Sequence, residues 1–226
     1  MGDLFDINPD CIVSWESIDK SRIWCIKDFY KRPDDIVEYI KSHEPKYHKR
    51  HSKTRNGIEF HDMRHGIDVD ITHVYKFLQR FCRQTYSTRN PKKLSTNYIR
   101  FEPVEFNSYK DHYWWPHYDS GFTALIYLNK DDDECGTNLY EFKEPRINEK
   151  GKMYDMEFDI HEHVKPWKEK SRYKLIRSIP PTYNSCVIFD GAKFLHGQNV
   201  SNVRYFGEEF RLNQVIFFDS NPNYFQ

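Results

Sequence analysis

The sequence predicts an α+β fold that is mainly β, an antiparallel jelly roll of cupin-like type with supporting helices near its N-terminus. Short β-prone runs recur near residues 114–119, 122–129, 137–142, 172–179, 184–190 and 210–219, with no long helix between them. That spacing suits antiparallel pairing rather than a parallel sheet. Helical periodicity comes earlier in the chain. The 17 Phe, 16 Tyr and 5 Trp among 226 residues supply the apolar area that a sizeable core needs. No compositional seam divides the chain, so residues 1–226 read as one domain, with the β core at about 96–219 and an N-terminal strand and helices at about 21–90.

In chain order, residues 1–20 are polar and irregular and read as a tail anchored by Trp15 and Ile18. Residues 22–29 alternate as a strand. Pro33, Asp34 and Asp35 open a helix, because proline tolerates the first turn and acids favour the positive end of the helix dipole. Ile36, Val37, Tyr39 and Ile40 give that helix an apolar side, and it ends near Glu44 and Pro45. Residues 46–62 are basic and dotted with histidine, which fits a solvated loop and also a lid over a site. Val74, Leu78, Phe81 and Cys82 recur at helical intervals within 70–86, as in an amphipathic helix backing a sheet. A polar connection at 85–94 leads into a strand and turn at 97–103, and the polar segment 143–170 reads as an insertion between core strands.

Composition narrows the function classes. Lys plus Arg and Asp plus Glu each number 34, so no global field draws the protein to nucleic acid or to an acidic membrane. Cys11, Cys25, Cys82, Cys135 and Cys186 occur singly, without a C-x-x-C pair, which reads as reduced thiols in the cytoplasm. The N-terminus lacks the basic-then-apolar build of a secretory signal, and no apolar run approaches membrane-spanning length. Asp6 stands where a myristoylation signal after Gly2 needs Ser or Thr.

The chemistry concentrates at Trp114-Trp115-Pro116-His117-Tyr118-Asp119. Side chains two apart on an extended backbone point the same way, so His117 and Asp119 can reach one metal ion together. His196, just beyond the apolar run at 186–189, is the candidate third ligand. Two histidines and a carboxylate on one face of the ion form the arrangement of non-haem Fe(II) oxygenases, which leaves positions for substrate and dioxygen. With 11 His and 34 Asp plus Glu, a His-x-acid triplet is common by composition. The same residues therefore also fit a solvated strand-end pair with His196 in an ordinary loop. His61 and His65 lack the Glu of a zincin-type motif, and His161 and His163 lie among charges and read as exposed.

Downstream, Arg211-Leu212-Asn213-Gln214-Val215-Ile216-Phe217-Phe218 opens an apolar strand with a cation, and Tyr127-Leu128-Asn129 closes the strand after His-x-Asp. In these residues, and in Gly136-Thr137-Asn138-Leu139-Tyr140 and the strand at 23–30, the sequence resembles the 2-oxoglutarate- and Fe(II)-dependent oxygenase superfamily. The likeness is to its prolyl-hydroxylase-like branch and small phage and bacterial relatives. It spans most of the chain and is densest between about residues 97 and 218.

The resemblance implies a double-stranded β-helix core, with His117, Asp119 and His196 as the catalytic Fe(II) ligands. It also implies 2-oxoglutarate chelating the metal, dioxygen at the remaining position, and ascorbate as a supporting reductant. Arg211 would pair with the distal carboxylate of 2-oxoglutarate, and Tyr127 would bond the same group. A planar guanidinium suits that role through two parallel charge-assisted bonds. Asn213 shares its side of the strand. Arg204 is the rival cation. The ordinary readings are a surface ion pair for Arg211 and core packing for Tyr127. Asn97, Tyr98 and Arg100 occupy a region where relatives place further contacts, but Pro103-Val104 stands where the family usually has Pro-Gly, and none of the three is assigned. Trp114, Trp115 and Tyr118 serve either as packing or as a wall of the substrate pocket.

The activity so implied is a dioxygenase that hydroxylates an unactivated C–H bond, with succinate and CO2 as co-products. Its expected substrate is a protein or peptide side chain, prolyl or related, an assignment that rests on analogy. A nucleic-acid demethylase shares the metal centre; the basic residues 46–55 favour it and the zero net charge disfavours it. A small-molecule oxygenase is a further enzymatic alternative. A jelly-roll binding module that retains the pattern is the non-catalytic one.

Overall fold

The computed structural model describes residues 4–43, 49–50, 60–61, 64–82, 87–88, 91–99, 111–119, 121–130, 135–144, 167–199, 203–205 and 209–219. These residues are mainly β. The chain opens with β1 (Ile12–Ile18), β2 (Ser21–Lys27) and α1 (Pro33–Ser42). It continues through β3 (Lys49–Arg50), β4 (Phe60–His61), β5 (Arg64–Asp68), α2 (Thr72–Gln79), β6 (Ser87–Thr88) and β7 (Lys93–Ile99). Then follow β8 (His112–His117), β9 (Gly121–Tyr127), β10 (Thr137–Phe142), β11 (Trp167–Glu169) and β12 (Tyr173–Ile179). The last strands are β13 (Cys186–Asp190), β14 (Leu195–Gln198) and β15 (Arg211–Asp219).

Every strand pair among the described residues is antiparallel. An eight-stranded sheet runs β1-β2-β13-β9-β15-β7-β5, with β6 beside β15. A five-stranded sheet runs β11-β8-β14-β10-β12, and β3 pairs with β4 alone. The two large sheets form a curled half-barrel.

The central strands of the larger sheet are apolar on both faces, because each face has a layer to cover it. On one face Ile26, Ala124, Ile126, Ile188, Ile216 and Phe218 pack with Ile36 and Ile40 of α1 and Val74, Tyr75 and Leu78 of α2. The spacing of those helical residues sets one stripe per helix against the sheet. Pro33 and the acids Asp34 and Asp35 start α1, and Asp70 accepts a bond from the backbone N–H of Thr72 at the start of α2. On the other face Leu125, Tyr127, Val187, Phe189 and Val215 meet Leu139 and Ile179 of the smaller sheet. Each fully buried aliphatic side chain contributes about 1.5–3 kcal/mol, so this inner layer holds the sheets together. A third cluster, Tyr140, Tyr173 and Leu195 with Tyr113, Tyr118 and Phe142, lies on the reverse of the smaller sheet.

Several expectations need correction. Residues 12–18 are not a tail but strand β1, and Trp15 is no buried anchor: it is 53% exposed, with the Arg22 guanidinium 4.5 Å from its ring centre. β1 is an edge strand whose two faces meet water, so it lacks the alternation that marks half-buried strands. Strand β8 begins two residues earlier than expected and stops at His117, leaving Asp119 beyond it. Strands also lie between the helices, at β5, and His196 sits within a strand, β14, rather than in a loop after one. The segment expected as a loop or lid at 46–62 is described only at β3 and at β4; its remaining residues, with His161, His163 and Arg100, lie outside the described residues. No helix among the described residues is long and apolar enough to cross a membrane.

Candidate metal centre

His117 closes β8, Asp119 follows two residues later, and His196 is the second residue of β14. Strands β8 and β14 are neighbours, with His196 directly opposite His117. This register brings the three residues together although some eighty positions of sequence separate them. One ligand atom from each lies within 4.8 Å of the others. His196 Nε2 is 3.1 Å from Asp119 Oδ2, and His117 Nε2 is 3.8 Å from Asp119 Oδ1. The imidazole centres are 4.5 Å apart, and Phe189 packs edge-on against His196.

Both imidazoles are oriented by main-chain carbonyls. His117 Nδ1 lies 2.7 Å from the Trp115 oxygen, and His196 Nδ1 lies 2.9 Å from the Phe194 oxygen. A ring that donates from Nδ1 carries its lone pair on Nε2, so both lone pairs converge on the carboxylate. Burial works to raise the Asp119 carboxyl. When the His196 and His117 rings are protonated, their positive charge and the Thr123 hydroxyl outweigh it and hold the carboxyl below the usual range, whereas the neutral rings turn lone pairs towards it. Three electron-rich groups facing one point repel unless a cation lies between them. That donor set, two imidazoles and a carboxylate, fits a divalent transition metal.

Local backbone strain builds this geometry. Trp115 has φ 43°, and the pairing of β8 with β14 slips by one residue between His196 and Gln198, the mark of a β-bulge. The bulge directs the Trp115 carbonyl back to its own histidine two residues on. It also presses on Gly197, where a Cβ would lie 2.6 Å from the Trp114 oxygen. Asp119 is fixed from two sides: its N–H donates to the Gly191 oxygen at 2.9 Å, and Thr123 on β9 donates its hydroxyl to Oδ2. A Cβ on Gly191 would come within 2.6 Å of that hydroxyl. Side-chain exposure is 37% for His117, 12% for Asp119 and 6% for His196, so the centre opens on the His117 side.

Tyr127 and Arg211 lie further along the same interior. Tyr127 is opposite Asn213, and its hydroxyl is 2.8 Å from Thr137 Oγ1. Burial pushes the phenol up to about 12, so it is protonated at neutral pH. Arg211 is only 3% exposed, which excludes the surface ion pair. Its Nε donates to the Cys135 oxygen at 2.7 Å and its Nη2 to the Gly136 oxygen at 3.2 Å, with Cζ 6.0 Å from the Tyr127 ring centre. These bonds engage the Nε–Nη2 edge of the planar group. Arg204 sits in a 3-10 turn, donates to the Tyr205 hydroxyl at 3.0 Å and lies 3.6 Å from Glu209.

Among the remaining candidates, Asn97 on β7 is opposite Asn213, and Tyr98 is opposite Leu212. Trp114 is buried opposite Gln198, and the Trp115 ring is 6.1 Å from that of His117. Tyr118 packs with the cluster on the reverse of the smaller sheet. Sequence reading missed Thr123, Thr137, Gln198, Gly191 and Gly197. A hydroxyl four residues after Asp119, and glycines in Asp190-Gly191 and His196-Gly197, were the available signals.

A profile of a family of unknown function, DUF6445, matches residues 9–212, a span that includes the triad, Tyr127 and Arg211. No curated protein matches the sequence.

Proposed function

The chain belongs to that family of unknown function, DUF6445, and we propose that it is an Fe(II)- and 2-oxoglutarate-dependent dioxygenase. The observation that carries this reading is the convergence of His117, Asp119 and His196, with both Nε2 atoms turned to the carboxylate. The strand order supports it too. The orders β7-β15-β9-β13 in one sheet and β8-β14-β10-β12 in the other are those that a double-stranded β-helix, or jelly roll, would have.

His117, Asp119 and His196 would hold the ion. The bound metal and co-substrate supply the oxidation, in which dioxygen and 2-oxoglutarate give succinate, CO2 and a hydroxylated C–H bond. The chain's own part is positional. Trp115 and Phe194 lock the imidazole tautomers, Thr123 steers the carboxylate, and Arg211 with Tyr127 offers a cation and a phenol to the distal carboxylate of 2-oxoglutarate. The apolar Leu125, Val187, Phe189 and Val215 keep water from the interior. Ascorbate would act as supporting reductant, and a protein or peptide side chain of prolyl type is the substrate class that the sequence resemblance favours.

The full chain, loaded with Fe(II) under anaerobic conditions, should develop a weak visible charge-transfer band on addition of 2-oxoglutarate, whereas a binding module would show none. Under air it should convert 2-oxoglutarate slowly to succinate. His117→Ala and Asp119→Ala should each abolish that turnover, and unchanged turnover in both rejects the ligand assignment. Arg211→Ala should weaken 2-oxoglutarate binding while sparing the metal, and Arg204→Ala should do little.

A further inference from the structure

Strand β1 forms one end of the larger sheet, and among the described strands only β2 pairs with it. Its other edge presents outward-facing N–H and C=O groups along a seven-residue strand, with no bulge in its register to twist them away. Of the four large apolar side chains exposed among the described residues, three stand on this strand: Ile12, Val13 and Trp15. Apolar residues scattered singly over a surface need no explanation, but three together beside an open edge do.

The other sheet ends show how this fold protects an edge. β5 ends on Asp68, β11 carries Lys168 and Glu169, and β12 carries Lys174 and Arg177. Charges of this kind deter a second strand. β1 has neither Lys nor Pro, and its one charge, Glu16, is engaged by Arg177 Nε at 3.0 Å. A strongly charged partner thus finds little on the strand to attract it, whereas a neutral, apolar, antiparallel strand fits. β1 is itself such a strand. Two copies of a chain with no net formal charge also approach without long-range repulsion.

Register completes the match. A two-fold axis through Trp15 sets Ile12 against the partner's Ile18, Val13 against the partner's Ser17, and Ser14 against the partner's Glu16. The two tryptophans then form a cross-strand aromatic pair, and the two Glu16 carboxylates stay apart. We propose that β1 is a dimerisation strand. Two copies of the chain join β1 to β1 antiparallel about that axis, merging their eight-stranded sheets into one. β2 and β13 separate this contact from β9, so the dimer and the metal centre form independently.

Sedimentation velocity of the full chain, from about 1 to 100 μM, should show a species of twice the 27.5 kDa chain mass that grows with concentration. Hydrogen exchange of the β1 amides should slow over the same range. Val13→Lys puts a charge on the strand, and Trp15→Thr removes the aromatic ring while keeping a residue that suits a strand. Each should weaken association by about tenfold or more and retain the circular dichroism of the folded chain. Leu175→Lys, at the exposed apolar residue of β12, should associate as the wild type does. A monomer across the whole range, the result if β1 instead receives a different protein, overturns the proposal. So does a dimer that Val13→Lys and Trp15→Thr leave as tight as before, or one whose β1 amides exchange equally fast at both ends of the range.

Discussion

Thr123 shows how much one hydroxyl decides. It donates to the same Asp119 oxygen that faces His196, so it fixes which oxygen is left for a metal. Outer partners of this kind are worth ten- to a hundredfold in metal affinity. Thr123→Val should therefore weaken Mn(II) binding by about tenfold or more, and Thr123→Ser should restore it; equal affinities, measured by Mn(II) titration under electron paramagnetic resonance, would remove Thr123 from the site. Thiol chemistry makes a second test at this scale. Burial pushes the Cys82 thiol up to about 12 and raises that of Cys186 well above its ordinary value. Neither should react with an aromatic disulfide reagent at pH 8 until the protein is unfolded, since the thiolate is the reacting form. Rapid labelling of either in the native protein would contradict their burial.

Among the elements, β8 with its bulge is the most exacting. A methyl on Gly197 would collide with the main chain at Trp114, which flexible side chains cannot relieve. Gly197→Ala should lower stability by about 1–3 kcal/mol in urea denaturation and loosen the triad with it. In β13, Asp190 caps the turn to β14 by accepting the N–H groups of Ala192 and Lys193 at 3.1 and 3.2 Å. Burial raises its carboxyl above the usual range despite those bonds. A raised carboxyl in the folded state favours folding at low pH, and that advantage is lost as pH rises through the folded value. Asp190→Asn should thus have the higher urea midpoint at pH 7, with the gap closing as pH falls through the carboxylate range. An Asn variant less stable at pH 7 would show that the charge serves the turn.

The elements also mark what could be read from the chain. Strands buried on both faces, such as β13 and β15, announce themselves as apolar runs, and β10 falls at the residues expected, 137–142. The grouping of the triad was legible because two of the candidate ligands sit two residues apart and the third follows an apolar run. β1 escaped because its apolar residues Ile12, Val13 and Trp15 face solvent and follow no two-residue period, and four-residue β14 because a glycine interrupts it. The bulge was illegible, since nothing in the type of Trp115 asks for a positive φ; only the fit against Gly197 does. Thr123 and Gln198 were ordinary strand residues until pairing gave them neighbours.

At the scale of the whole molecule, the centre stitches β8 and β14 of the smaller sheet to the turn that enters β9 of the larger. A ligand that binds only this folded arrangement stabilises it by mass action, by about 2.7 kcal/mol at a hundred times its Kd. Saturating Mn(II) should raise the melting temperature of the wild type, a chelator should reverse the rise, and Asp119→Ala should show neither effect. A rise of the same size in Asp119→Ala would place the ion elsewhere.

The tether of Arg211 to the carbonyls of Cys135 and Gly136 bears on recognition in a further way. A long cationic side chain on an open surface forfeits up to about 2 kcal/mol of rotamer freedom when it clasps an anion. Here most of that freedom is surrendered while the chain folds, before any guest arrives. The guanidinium behaves as a rigid fixture, so an anion reaching it keeps nearly all of the attraction as affinity.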